Sequence, residues 1–193
     1  TIGIATGTLD NFQYLKPIIN NVLKLGLNCD IRFHPAQPAS FISKIEEYSK
    51  NMKYLKLSYP KKESLSIFFS KVDAVIAFRT SLHLEAAIAG LPTFFIKMFR
   101  TNFKSDSYGY VESGLSFKLN KDFNISKLNS LILKSNNSKR KKIIRNFSET
   151  YDTIWQNNEH KLVFKIIENI IEKKNKPVQI FKKIDNEIYQ KVF

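Results

Sequence analysis

Three places in the chain combine residue type and spacing in ways that could do chemistry: Thr6-Gly7-Thr8, His34-Pro35, and Arg79-Thr80-Ser81 with Glu85 four residues beyond the serine. An arginine beside two hydroxyl residues at the start of a helical segment suits an anion. The guanidinium supplies charge and a fork of donors, and the unpaired amides of the helix start add to it. Ser81 and Glu85 fall on one helix face, so a group held at Ser81 extends toward the carboxylate. A phosphate joined to a ribose has that shape. Gly7 lets backbone approach a ligand, and the hydroxyls of Thr6 and Thr8 can donate to phosphate, although sterics alone also place glycine in such turns. His34 can donate to a phosphoryl oxygen while Pro35 sets the turn after it; the alternative is a structural histidine. Tyr59 can meet a base or simply pack, and His83 reads as a packing or surface residue.

These groups need a scaffold that gathers distant positions, and the periodicity describes one. Ile2 to Ala5, Cys29 to Phe33, Tyr54 to Leu57, Asp73 to Phe78 and Thr93 to Ile96 are short apolar runs suited to strands covered on both faces. Helical spacing falls between them. Leu15, Ile18, Ile19, Val22 and Leu23 mark one helix closed by Gly26, with Pro17 expected near its start and Asp10 to Lys16 as an irregular lead-in. Ser40 to Lys50 is a second, with Ser40 a possible cap. Ser64 to Lys71 is a third, and a fourth starts at Thr80 or Ser81 and stops at Gly90 and Pro92. This alternation predicts an α/β fold, a Rossmann-like parallel sheet with helices on both faces, which binds ligands at the carboxyl ends of its strands. Tyr110 to Lys118 can add a short strand. C-terminal helices follow, among them Asn124 to Leu133 and one whose face carries Leu162, Val163, Ile166, Ile167, Ile170 and Ile171 and should pack into a core. One domain spans 1–193: a core at 1–120, helices at 121–175, and a tail at 176–193 whose apolar residues, Ile180 to Phe193, suggest a docked segment.

Composition narrows the class. A chain of 193 residues with 43% hydrophobic side chains can bury a core of its own. Cys29 is the only cysteine, so an internal disulfide is excluded and a buried thiol expected. No apolar run approaches the roughly 20 residues that span a bilayer, and the N-terminus lacks a signal-peptide pattern. The formal net charge of +14 is spread out: 16 basic against 8 acidic residues from Lys121 onward, 15 against 9 before it. Apart from Lys139-Arg140-Lys141-Lys142 there is no dense cluster, and RNA-binding aromatic motifs and zinc-finger spacings are absent, which disfavours nucleic acid. A solvated surface, or attraction to an anionic membrane or polyanionic substrate, fits better. No metal-ligand cluster is evident.

Taken together, the Gly-containing turn after the first strand, His34-Pro35 after the second, and Asp73-Ala-Val-Ile-Ala77 followed by Ser81, Glu85-Ala86 and Gly90-Leu-Pro92 resemble the carboxyl-terminal, donor-binding half of GT-B glycosyltransferases over Ile2 to Leu119. His34-Pro35 is similar to the HP motif of bacterial capsule, sialyl and Kdo transferases that use CMP-activated sugars, with Thr80-Ser81 matching their Ser/Thr pair. The resemblance implies a metal-independent, inverting enzyme needing no cofactor beyond its CMP- or UDP-linked donor. It implies phosphate contacts from Thr6, Gly7, Thr8, His34, Pro35, Arg79, Thr80 and Ser81, and ribose or base contacts from Glu85 and Tyr59. The acceptor would be a surface polysaccharide or lipid-linked glycan, met in the cytoplasm at the inner face of the membrane. The acceptor domain and catalytic base of that family precede the donor half, and the chain opens on Thr1 and a core-type strand, so both are expected outside it. The same fold serves nucleotide-sugar 2-epimerases, and a non-catalytic nucleotide- or polyanion-binding module is the other alternative. Sugar and acceptor choice would fall to loops such as Arg100 to Gly109.

Overall fold

The computed structural model describes residues 1–98, 106–135, 139–172, 181–185 and 188–191, and divides the chain into two compact units, Thr1–Arg140 and Lys141–Phe193. The first unit is built on six parallel strands: β1 (Ile2–Ala5), β2 (Cys29–Arg32), β3 (Leu55–Ser58), β4 (Ala74–Ala77), β5 (Thr93–Phe95) and β6 (Phe117–Lys118). Their order is β3-β2-β1-β4-β5-β6. The chain therefore reverses direction of travel between β1 and β4, where an open parallel sheet leaves a crevice beyond its strand ends. Helices α1 (Phe12–Lys24), α2 (Ala39–Ser49), α3 (Leu65–Ser70) and α4 (Leu82–Ile88) make the crossovers, and α5 (Ile125–Ser135) follows β6.

Alternation along each strand splits the core in two. Ile2 and Ile4, Cys29 and Ile31, Ala74 and Ile76 join one cluster with Leu15, Ile18, Ile19 and Val22 of α1, Phe41 and Ile45 of α2, and Leu128 and Leu131 of α5. Ala5, Val75 and Ala77 face the other way, onto Phe68 of α3, Val72 and Ala86 of α4. Gly3 is required on this thinner side: a Cβ there would lie 2.8 Å from Cζ of the fully buried Phe68. Cys29 is buried.

Two helix starts differ from the sequence reading. Helix α1 begins at Phe12 and carries Pro17 inside it, capped by Asn11, whose side chain accepts the Gln13 amide at 2.9 Å. Proline deletes one backbone bond there, and the four buried apolar residues around it outweigh the loss. Helix α2 starts one residue before Ser40, and its cap position is Pro38, with no side-chain bond. Ser64 caps α3 by accepting the Ile67 amide.

The second unit takes up the basic cluster from Lys141 on: α6 (Arg140–Arg145) runs into it, and α7 (Glu159–Glu172) and an antiparallel hairpin, β7 (Phe181–Asp185) with β8 (Ile188–Lys191), follow. Within it Asp152 receives Lys141 at 2.8 Å and Arg145 at 3.5 Å. The amphipathic helix expected here is present, yet only Leu162 of its apolar face is buried, while Val163, Ile167, Ile170 and Ile171 are 45–57% exposed. Periodicity specifies a face, not the partner that covers it. Ile180 and Phe193 of the tail, and residues 100–105 of the loop expected to choose sugar and acceptor, lie outside the described residues. Among the described residues no helix is long and apolar enough to cross a membrane.

Candidate nucleotide site

The parallel register puts the ends of β1, β2 and β4 side by side, pairing Ala5 with Arg32 and with Ala77. Residues 27 and 72 positions apart in sequence thereby share one edge. A cavity of about 240 Å³ opens at it, lined by Thr6, Arg32, His34, Pro35, Thr80, Ser81 and Glu85, with Phe33, Pro60, Leu65 and Leu82 supplying apolar wall. Six of the ten site residues expected from sequence meet here.

Each polar group in this cavity is held in a particular state. The His34 Nδ1 accepts the Ala36 amide at 3.1 Å, so the neutral ring carries its proton on Nε2 and is left a donor. Ser81 donates to Glu85 Oε1 at 3.2 Å, which confirms their common face and leaves the other carboxylate oxygen to accept from a ligand. Thr80 does the capping, its hydroxyl accepting the Leu82 amide at 3.3 Å, while Ser81 occupies the cap position without a capping bond. Thr6 is not available as a phosphate donor. Its buried hydroxyl accepts the His34 amide at 3.1 Å, and its one proton is taken up by Gln37 Oε1 at 3.1 Å or the Arg32 carbonyl at 3.3 Å. The threonine positions the histidine instead.

Gly7, Thr8 and Arg79 fall into a neighbouring cavity of about 170 Å³, completed by Leu9, Asp10, Ser107 and Tyr108. Arg79 Nε donates to Ser107 Oγ at 3.3 Å. A Cβ on Gly7 would stand 3.6 Å from the Arg79 carbonyl, an ordinary contact, so the missing side chain serves the open space rather than the protein's packing. Tyr59 is drawn away from both cavities. Its hydroxyl donates to Glu46 of α2 at 2.6 Å and its ring packs on Phe33 at 5.2 Å, so both ends of this half-buried side chain have protein partners.

Arg32 and Asp10 at this edge had no clear sequence signal, and His83, read from sequence as a packing or surface residue, joins them. Arg32 is buried, donating to Ser58 Oγ at 2.8 Å and the Glu63 carbonyl at 3.1 Å, with its guanidinium 5.6 Å from the Phe68 ring centre. Burial holds its pKa below the ordinary arginine range, partly offset by Glu63, Asp30 and Glu85. Arg32 and Asp30 alternate with Cys29 and Ile31, and that period of two was the available clue. Asp10 is also buried and accepts the Gly7 amide at 2.7 Å; desolvation pushes its pKa up to about 7, the Gly7 bond opposing. His83 is fully enclosed, Nε2 at 2.9 Å from the Phe78 carbonyl and Nδ1 at 3.2 Å from Ser116 Oγ, which ties α4 to the end of β4. Burial depresses its pKa to about 4, so it is a neutral packing residue, as its sequence position suggested.

No protein-family model matches the chain, and no curated protein does. Solved structures do. The glycosyltransferase SnogD from Streptomyces nogalater is similar over 84% of this chain and 43% of its own, with 12% identity and a TM-score of 0.54. The UDP-bound MnaA of S. aureus is similar over 92% of this chain and 48% of its own (13% identity, TM-score 0.53). A UDP-N-acetylglucosamine 2-epimerase, so described, from Listeria monocytogenes covers 92% and 47% (15%, 0.52). At these identities the likeness shows the fold, the Rossmann-like half of a GT-B-type architecture, and the chain spans less than half the length of each.

Proposed function

We propose that this chain is the donor-binding half of a glycosyltransferase that moves a sugar from a nucleotide-activated donor to a surface-polysaccharide or lipid-linked acceptor. The observation that carries this reading is the convergence of His34, Thr80, Ser81 and Glu85, from separate strand ends, on one cavity at the crossover point of the sheet. The nucleoside occupies that cavity, with the free oxygen of Glu85 accepting from ribose hydroxyls and the His34 Nε2–H donating to phosphate. The phosphates run toward Gly7 and Arg79 in the adjoining cavity. As the bond from sugar to phosphate breaks, charge gathers on the leaving phosphate, and these donors stabilise it without a metal ion. The acceptor domain and the base belong to the part of the protein outside this chain, working at the cytoplasmic face of a membrane.

Thermal-shift and calorimetric titration with CMP, CDP, UDP and GDP test the reading and name the base. One of them stabilises the fold, and His34→Ala or Ser81→Ala weakens it by about 1–3 kcal/mol, the worth of a charge-assisted hydrogen bond. If none of the four binds, the reading is lost. A second reading, a nucleotide-sugar 2-epimerase, is favoured by the similarity to the Listeria protein over 92% of the chain. Product analysis with the full-length protein separates them: a glycosylated acceptor and free nucleotide in one case, a nucleotide sugar of inverted C2 configuration in the other.

A further inference from the structure

A third cavity continues the same carboxyl edge beyond β5 and β6. It measures about 550 Å³, and an adjoining recess of about 560 Å³ shares part of its rim. Because the strands run β3-β2-β1-β4-β5-β6, the three openings follow one another along the edge: the nucleoside cavity, the Gly7–Arg79 cavity, then this one. Its floor is apolar, from the buried Phe95, Ile96 and Leu119. Its rim is the opposite. Lys118 and Lys121 stand exposed on it, Lys127 opens onto the adjoining recess, and among the described residues none of the three has a carboxylate partner. Tyr14, 37% exposed, presents an aromatic ring at the side, and Asn120 and Asp122 add an amide and a carboxylate.

This set of groups suits one class of ligand. A sugar ring has an apolar C–H face that rests on an aromatic ring and a rim of hydroxyls that bond to amides and carboxylates. Lysines without an ion-pair partner beside such a platform favour a saccharide that is itself anionic, whose carboxylates can pair with them. A polyphosphate would use the lysines and leave Tyr14 and Asn120 without purpose. The size falls within the range of ligand sites. We infer that the cleft lined by Tyr14, Lys118, Lys121 and Asp122 binds an acidic saccharide of the acceptor glycan. This rests on the donor reading above, because it is the donor held along the same edge that makes the bound glycan an acceptor.

Calorimetry of the protein with tetragalacturonic acid, with neutral galactotetraose and with polyphosphate tests the cleft directly, with nucleotide thermal shifts run on the same variants. The acidic tetrasaccharide binds at least about tenfold more tightly than the neutral one. The double substitution Lys118→Gln, Lys121→Gln weakens it about tenfold, in line with two partly exposed charge pairs. Tyr14→Ala weakens the acidic and neutral sugars alike. A control with the same change of charge elsewhere, Lys50→Gln, Lys53→Gln, leaves binding intact, and nucleotide shifts are unchanged throughout. The inference is overturned if the control weakens binding equally, if polyphosphate competes as well and ignores Tyr14→Ala, or if the lysine substitutions affect only a nucleotide-linked acid such as UDP-glucuronic acid, which would make the cleft a donor-sugar site. Failure of the donor reading looks different: no nucleotide shifts the melting point, while the tetrasaccharide still binds.

Discussion

Two of the buried titratable groups at the sheet edge, Asp10 and His83, should give the first unit opposing pH dependences, exposed by Asp10→Asn. His83 falls from its ordinary 6.5 to about 4 on burial, so the unfolded chain takes the proton more readily than the folded one. Its contribution is full above pH 6.5 and is lost as pH falls toward 4, by about 3 kcal/mol at about 1.4 kcal/mol per tenfold change in proton affinity. Asp10 works in the other direction. Burial raises it from 3.8 to about 7, so the fold is favoured with the acid protonated, and about 4 kcal/mol is lost as pH rises from near 4 to near 7. Across this window the two nearly cancel. Asn at position 10 keeps an oxygen for the Gly7 amide but has no charge to bury, so the variant is more stable than the wild type at pH 8 by up to about 4 kcal/mol, an advantage that vanishes by pH 4. His83→Gln does the converse, improving relative to wild type by about 3 kcal/mol between pH 7 and pH 4. Urea unfolding followed by circular dichroism at pH steps from 4 to 8 gives both differences, and titration of groups shared by the variants drops out of them. A difference between Asp10→Asn and wild type that does not change with pH would refute the reasoning.

Thr6→Val keeps shape but removes the hydroxyl that accepts the His34 amide; it should cost about 1–3 kcal/mol in urea and weaken nucleotide binding by releasing His34, although the hydroxyl itself is engaged within the protein. Gly3→Ala places a Cβ against Phe68 and should cost about 1–3 kcal/mol, recovered in part by Phe68→Leu, again by denaturant titration. Pro17→Ala restores a backbone bond in α1 and should raise stability, by no more than about 3 kcal/mol; an unchanged or lower midpoint would mean the proline is accommodated without loss.

Much of the first unit was legible because its strands are covered on both faces. Ala74-Val-Ile-Ala77 is apolar throughout, and all four side chains are buried, two on each side of the sheet. The start of α3 could be placed at Ser64 because the hydroxyl that caps it acts within three residues. Local rules mislead where tertiary packing overrides them, as at Pro17, or where the partner is unknown, as on the exposed face of α7.

For the candidate site, sequence alone determined which groups stand at the strand ends, since an apolar run followed by polar residues marks the place where a strand leaves the core. His34, Thr80, Ser81 and Glu85 were found that way. What those groups are free to do was decided only by tertiary structure. Thr6 spends its hydroxyl on the His34 amide, Tyr59 is claimed by Glu46, and Arg79 opens on a different cavity from its neighbour Thr80. Arg32 and Asp10 became visible only once β3, α3 and the β1 turn enclosed them, because burial and partners belong to chain segments far apart in sequence, and no local spacing encodes a bond across that distance.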